Sequence, residues 1–477
     1  MTTKLAVQEE PAIYKVLSGL ANTIPLAQAA ERNPRRLSVP PGDADLVSFV
    51  PMRAVSEESG HIDSRNLRHW SEVKKGYTAF QDADVIFAKI TPCMENGKFA
   101  VASGLHNGRG AGSTEFHVFR PKPGLLPRYL LHFLFTPTVR RAAKRNMKGA
   151  AGQLRVPIQF FEGLRIPLPA TEVQQRIVDY LDEQLSRLDS SVAALHRVQA
   201  NLKRYRASVL KAACEGRLVP TEAELARQEG RDYKTGAQLL QGSIAERRAR
   251  WGGRGKYKEP LGPESTTLPT LPTGWCYGTL DQLTSHLTSG SRDWSPFYDR
   301  GSSVFLMAQN IRMGALDLTM KQRVDPPTAD ASRARSQVEV DDLLVTIVGA
   351  NAGEICRVPE PLPEHYVCQS IALIRPVQSE TSKYLEAFLV APKNGQKQFE
   401  LLMYGQGRPH LSFDQLRATV VPLPPLSEQH RIVAETDRRL SLIRAAEAQV
   451  TANLARAKRL RQSILQTAFA APASAGQ

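Results

Sequence analysis

The sequence predicts an α+β protein built as an internal pseudo-twofold repeat. Two mixed β-rich domains are each followed by one long helix, and the two helices are each other's partner. Residues 166–178 read IPLPATEVQQRIV and residues 421–433 read VPLPPLSEQHRIV, an offset of 255 positions. At that same offset 18 of the 48 positions in 166–213 are identical to those in 421–468 without a gap, too long a run for coincidence. Within each repeat, β-branched and aromatic runs broken by Gly, Pro and Asn give way to a long Pro-free stretch with heptad spacing. Those are strand-and-turn and paired-helix signals respectively.

The elements follow in order. Residues 1–30 form an N-terminal segment, and a first β-rich domain spans 31–171, with DVIFAKI (84–90) and FHVFRP (116–121) as strands. A helical spacer spans 172–216, capped by Thr171 after a Leu-Pro turn. Along it Leu181, Leu188, Leu195, Leu202 and Val209 recur every seven residues. A linker, 217–272, contains ERRARWGGRGKYK (246–258), in which six of thirteen residues are Arg or Lys; it reads as a solvated basic tail or a phosphate-contacting segment. The second β-rich domain, 273–426, carries DLLVTIVGA (342–350) and QSIALIRP (369–376). The second helix, 427–470, starts at Ser427 and keeps Leu440, Ile443, Val450, Leu454 and Ile464 on one face, leaving a tail at 471–477. Upstream, STEFHVFRP (113–121) lies over CQSIALIRP (368–376), RYLLHFLFTP (128–137) over KYLEAFLVAP (383–392), and FVPMRAV (49–55) roughly over FLMAQNI (305–311). Arg206 and Arg461 fall at matching seam positions, so the seam is imperfect. Each helix would be roughly 65 Å long, a rigid spacer.

Charge narrows the partners. The 62 Lys and Arg outnumber 47 Asp and Glu, a net charge of +15 that points to a polyanion, nucleic acid first. No run approaches the ~18 apolar residues of a membrane span. The N-terminus has acidic residues and Pro where a signal peptide needs an apolar core. The five cysteines are scattered without metal or disulfide spacing, and the chain reads as cytoplasmic.

Catalytic motifs are not found. Asn96-Gly97-Lys98-Phe99 lacks the first Gly and the hydroxyl residue of a phosphate-binding loop. No Gly-rich loop follows a strand, so no cofactor is expected on this chain. Asp325-Pro326-Pro327-Thr328 lacks the aromatic residue that would stack on a flipped base. Asp63, Glu72 and Lys74 have the residue order of a metal-dependent nuclease, but in a polar stretch and without a counterpart in the second repeat. The ten histidines form no metal-ligand cluster, and no metal is expected. The pattern fits a reader of nucleic acid rather than a modifier of it. The alternatives are a nuclease using Asp63, Glu72 and Lys74, or a DNA-binding scaffold with no methyltransferase partner.

These residues resemble the DNA specificity (S) subunit of type I restriction–modification systems. The resemblance rests on the repeated LP-x4-Q-x-R-I-V run into a long helix (Leu168–Val178, Leu423–Val433), ADVIFAKITPCMENGK (83–98), RARWGGRGKYKEP (248–260) and LPTLPTGW (268–275), and it covers nearly the whole chain. The first repeat has no PTGW-like opening. The resemblance implies two target-recognition domains joined by two long helices packed antiparallel. Each domain would read one half of a bipartite, asymmetric double-stranded DNA site, and the helices would set the spacer between the halves. It implies two methyltransferase (M) subunits docked on the helices, binding S-adenosylmethionine and methylating adenine, and restriction (R) subunits that use ATP and Mg²⁺. The S chain itself would have no catalytic residues.

Base discrimination needs Arg, Lys, Asn, Gln or Glu on loops that reach the major groove, while other cations hold phosphates. The candidates in the first domain are Lys89, Asn96, Lys98, Arg109, Gln153 and Arg155. In the second they are Gln309, Asn310, Arg312, Asn351, Arg408 and His410. Gly152-Gln153 and Gly407-Arg408 match across the repeat. The run VRRAAKRNMK (139–148) adds Arg140, Arg141, Lys144 and Arg145 as phosphate contacts of the first domain.

Overall fold

A computed structural model describes residues 23–469 apart from 58, 64–65, 151, 253–255, 265–267, 291–292, 329–331, 406 and 408. Most of the N-terminal segment, the tail and Arg408 lie outside the described residues. The chain divides into two compact units, Met1–His196 with Thr451–Gln477, and Arg197–Val450. No helix of the described residues is long and apolar enough to cross a membrane.

In the first unit β1 (Thr23–Pro25) pairs antiparallel with β10 (Arg165–Pro167), and α1 (Leu26–Ala29) leads into β2 (Ala30–Arg32). This pairing falls within the expected N-terminal segment, where a three-residue strand is too short to show alternation. One sheet has the order β2–β9–β6–β7, with β6 at Val85–Ala88, β7 at Phe99–Val101 and β9 at Phe116–Pro121. The other has the order β4–β3–β8–β5, comprising β3 (Leu46–Val50), β4 (Asn66–His69), β5 (Thr78–Gln81) and β8 (Arg109–Gly112). β3 and β8 run parallel. Phe87 stacks on Phe99 at 3.9 Å, and Phe119 and Phe161 close the aromatic core edge-on. A short helix, α2 (Trp70–Val73), follows β4, and α3 (Pro127–Phe135) packs seven of its nine side chains into the interior. Thr136 then caps α4 (Pro137–Arg145).

The long helices are α5 (Thr171–Cys214) and α13 (Leu426–Ala468). In the first unit Ile177, Val178, Leu181 and Leu185 of α5 share a core with Leu465 and Ala468 of α13, and Ile464 packs against it. Asp189 meets Arg461, so within this unit the start of α5 runs antiparallel to the end of α13. In the second unit Val209, Leu210 and Ala213 of α5 share a core with Ile432 and Leu440 of α13, again antiparallel, and Arg206 reaches Glu447 at 3.0 Å. The two seam arginines are thus paired with carboxylates. Ile443 and Val450 are buried, while Leu188, Leu195, Leu202 and Leu454 are half-buried.

The expected linker contains two helices. Capping boxes at Thr221/Glu224 and Thr235/Gln238 start α6 (Glu222–Glu229) and α7 (Gly236–Ala249). A Cβ on Gly236 would lie 2.1 Å from the Leu423 carbonyl, so only glycine lets α7 start against that strand. Of the basic run, Arg247 and Arg248 belong to α7, paired with Asp281 and Glu259. Trp275 of the PTGW motif donates from its indole nitrogen to Glu428 at 2.9 Å, tying the start of the second domain to the start of α13.

The second domain repeats most of the first domain's strands in the same order. β11 (Cys276–Thr279) pairs with β21 (Val420–Leu423), and α8 (Leu280–Leu283) leads into β12 (Thr284–Ser289). The first sheet has the order β12–β20–β17–β18, with β17 at Leu343–Thr346, β18 at Ile355–Arg357 and β20 at Ile371–Pro376. β13 (Tyr298–Leu306) pairs antiparallel with β16 (Gln322–Val324) and parallel with β19 (His365–Val367). That matches β3 with β4 and β8. A short hairpin, β14 (Ile311–Arg312) and β15 (Ala315–Leu316), follows, with helices at Ser332–Ser336, Ser382–Leu389, Gly395–Leu402 and Phe413–Arg417. The β5 position shrinks to one bridge, Gln337 to Tyr366. The polar contacts repeat as well. The Tyr129 and Tyr384 hydroxyls donate to the Pro167 and Pro422 carbonyls. Gln174 and Gln429 donate to Pro169 and Pro424, and the buried Asp84–Arg120 pair recurs as Asp342–Arg375.

Candidate nucleic-acid interface

In the first unit the loop Thr91–Lys98 between β6 and β7 is laced to the hairpin Lys148–Arg155. The Thr91 amide donates to the Leu154 carbonyl at 2.9 Å, and the Leu154 amide donates to the Thr91 hydroxyl at 2.9 Å. Lys148 and Arg155 exchange backbone hydrogen bonds, and the Val156 amide donates to the Lys89 carbonyl. This arrangement gathers Lys89, Asn96, Lys98, Gln153 and Arg155, which are spread over more than sixty positions of sequence. The helix α4 adds Arg140 and Lys144.

Acidic residues shape this cluster. Arg155 grips Glu115 with two parallel hydrogen bonds of 2.9 Å, which hold the Glu115 carboxyl below its usual range. The Asn96 amide donates to Glu57 at 2.9 Å, and the Lys98 ammonium donates to the Val55 carbonyl at 3.0 Å. Lys144 lies 2.5 Å from a Glu95 carboxylate oxygen, and Arg140 donates to the Glu95 backbone carbonyl. Beneath them, buried His117 donates from Nε2 to the Val156 carbonyl at 2.8 Å. Burial pushes its pKa down to about 4. Arg141, Arg145, Lys148 and Gln153 are exposed, and Lys89 is half-buried. Arg109 stands apart, at the opposite end of β8 from Glu115, where it pairs with Asp45 at 3.2 Å.

The second domain has the matching cluster. The turn after β17 (347–354) meets the loop Tyr404–His410, and His410 bridges both Val348 and Tyr404. The His410 ring lies 5.0 Å from that of Tyr404, and its buried Nδ1 has no hydrogen-bond partner among the described residues. Asn351 is half-buried in the turn, Gln309 is exposed, and Arg312 approaches Glu354 at 3.6 Å. Asn310 departs from expectation. It is 2% exposed; its amide nitrogen donates to the Asp317 and Met320 carbonyls, and its oxygen accepts from the Met307 amide. Those bonds spend its side chain on a turn, leaving no edge for a base. Arg408 lies outside the described residues.

Asp63, Glu72 and Lys74 do not assemble a metal centre. Lys74 pairs with Asp43 at 2.7 Å, Asp63 accepts from Ser56, and Glu72 is exposed on α2. Among the described residues no group of three or more His, Cys, Asp or Glu is placed to hold a metal ion. What sequence reasoning missed is the acidic half of the site, Glu57, Glu95 and Glu115, together with His117 and Tyr404. Only Glu95 carried a signal, its place inside the TPCMENGK loop.

A family model described as the type I restriction modification DNA specificity domain matches residues 53–198 and 336–449; the first stretch contains the Thr91–Lys98 and Lys148–Arg155 loops and the second contains the 347–354 turn and His410. The chain is 29% identical to the type I restriction enzyme EcoAI specificity subunit of Escherichia coli, over 90% of this chain and 79% of that one. It is 26% identical to the EcoEI specificity subunit of the same organism, over 86% and 76%. In fold it is similar to a chain from a structure of the type I R-M system, with a TM-score of 0.64, 19% identity and coverage of 94% and 97%. Together the matched stretches span more than half of the sequence, and on that basis the chain belongs to the type I restriction modification DNA specificity domain family.

Proposed function

We propose that this chain is the DNA specificity subunit of a type I restriction–modification complex, with no catalytic role of its own. Each β-rich domain reads one half of a bipartite, asymmetric site through its loop cluster: Lys89, Asn96, Lys98, Gln153 and Arg155 in one, Gln309, Arg312, Asn351, Arg408 and His410 in the other. The observation that carries this reading is the repeat itself, which puts equivalent loops, shaped by different side chains, on equivalent strands of two domains. A scaffold displayed twice with different loops suits two different half-sites.

The two helices set the spacer and dock two methyltransferase subunits, one for each copy of the helical motif. S-adenosylmethionine belongs to those subunits, and ATP and Mg²⁺ to restriction subunits, in the cytoplasm. The domains run from 23 to 170 and from 275 to 425, with the helical spacers following each. The test is to co-express the chain with the methyltransferase encoded beside it and sequence the host DNA for N6-methyladenine. Methylation of one bipartite motif, dependent on both chains, is expected; an assembled complex that modifies no motif overturns the reading.

A further inference from the structure

The four basic residues of α4 fall into two pairs one turn apart. Val139 and Ala143 face the core, Arg140 and Lys144 lie together on one flank, and Arg141 and Arg145 lie together on the next. The inner pair is engaged with the Thr91–Lys98 loop. Arg140 donates to the Glu95 carbonyl, and Lys144 meets the Glu95 carboxylate at 2.5 Å. The same loop is tied at its start to Leu154, by Asn96 to Glu57, and by Lys98 to the Val55 carbonyl. It is therefore held from three sides, with Glu95 on the side facing α4. Arg141 and Arg145 are exposed, and Arg141 donates to the Pro137 carbonyl of its own helix. The equivalents of Arg140 and Lys144 in the second repeat are Gly395 and buried Phe399; the matching helix there ties to the turn after β17 by an uncharged bond instead, Gln396 donating to the Gly353 carbonyl at 2.9 Å.

We infer that Arg140 and Lys144 are positioning residues for sequence specificity in the first half-site, holding the Thr91–Lys98 loop through Glu95, whereas Arg141 and Arg145 contact DNA phosphates. The inference rests on the reading of this face as the DNA surface. It separates two effects that a basic helix would otherwise blend: loop shape governs which bases are accepted, and phosphate charge governs affinity and its response to salt.

The experiment uses the co-expressed complex in three forms: wild type, Arg140→Met with Lys144→Met, and Arg141→Met with Arg145→Met. Two readouts are taken, the N6-methyladenine motif in host DNA and the slope of log affinity against log salt for a duplex carrying the wild-type motif. The inner pair should make one half-site degenerate, with discrimination falling about tenfold, while the other half-site and the salt slope stay unchanged. The outer pair should leave the motif intact and lower the slope by about 1.8. The inference is overturned if the inner pair flattens the slope with the motif intact.

Loss of all methylation in the inner pair would point to misfolding, and the charge exchange Glu95→Lys with Lys144→Glu then decides. If Lys144→Glu alone relaxes the half-site and the exchange restores it, the clamp stands; if the exchange restores nothing, it falls. A wild-type complex that methylates no motif removes the DNA-specificity reading first, and the inference with it.

Discussion

Acidification from pH 7 to 5 should loosen the first domain beneath its reading hairpin, because His117 has to stay neutral there. The Val118 amide donates to Asn33 Oδ1 at 2.9 Å, so the Asn33 amide nitrogen faces His117 Nδ1 at 3.2 Å and donates to it. The ring proton is then on Nε2, donating to Val156. A second proton on Nδ1 would set donor against donor in a site where His117 is 5% exposed. Burial is the main cause of its depressed pKa; nearby Lys89 lowers it further, while the Val156 bond and Glu115 oppose. The folded value, about 4, lies below the ordinary 6.5, so between them the unfolded chain binds the proton more tightly. The stability conferred is present above pH 6.5 and is lost as pH falls toward 4. The full gap is worth about 3 kcal/mol, of which about 2 kcal/mol is gone at pH 5. Hydrogen exchange of peptides covering β9 and residues 148–158, corrected for intrinsic rates, should show about twentyfold easier opening at pH 5 than at pH 7. His117→Phe should be weaker at pH 7 yet lose that increment. Buried His132, whose pKa is also depressed by burial, contributes to both proteins and cancels in the difference. Equal pH dependence in wild type and variant would refute the argument.

Two further predictions concern the repeat. Tyr129→Phe and Tyr384→Phe each remove a buried hydroxyl donor from a matched carbonyl and should each cost about 1–2 kcal/mol, with the loss of exchange protection confined to the variant's own unit; a cost spread over both units would count against independent cores. Leu181→Ala, at a fully buried seam position, should destabilise the first unit by about 2–5 kcal/mol, whereas Leu195→Ala at a half-buried heptad position should cost about half as much or less. Urea unfolding monitored by exchange of peptides 171–185 and 460–469 measures both, and equal losses at the two leucines would show that heptad position alone sets the packing.

Much of the architecture was legible in the sequence because it is written twice. The constant offset exposed the long helices and the strands β9 and β20 that end in a shared Arg-Pro, and it aligned Tyr129 with Tyr384 without marking their segments as helices. What stayed hidden was short or local. The strand at Thr23–Pro25 has three residues and no alternation. The helices inside the expected linker announced themselves only through T-x-x-E and T-x-x-Q capping boxes in a charged stretch. At the site, cations were easy to nominate and their roles were not. A cation's role depends on which acid it meets, and Glu115 for Arg155 or Glu95 for Lys144 is brought near only by strand order. Asn310 shows the same limit, since a polar residue in a loop motif can be wholly occupied by the turn it closes.

The division of the chain into units has a consequence for how it is made. The second unit is one uninterrupted stretch, Arg197–Val450, and every contact inside it is available to a ribosome-bound chain that has emerged that far. The first unit is not, because Leu465 and Ala468 of its core are synthesised after the whole of the second. Until they arrive, Leu181 and Leu185 have an unfilled side, an apolar surface open to chaperones or to a neighbouring nascent chain. The N-terminal domain is thus completed last, against the usual N-to-C order of folding. A premature stop late in α13 would damage the first domain while leaving most of the second intact.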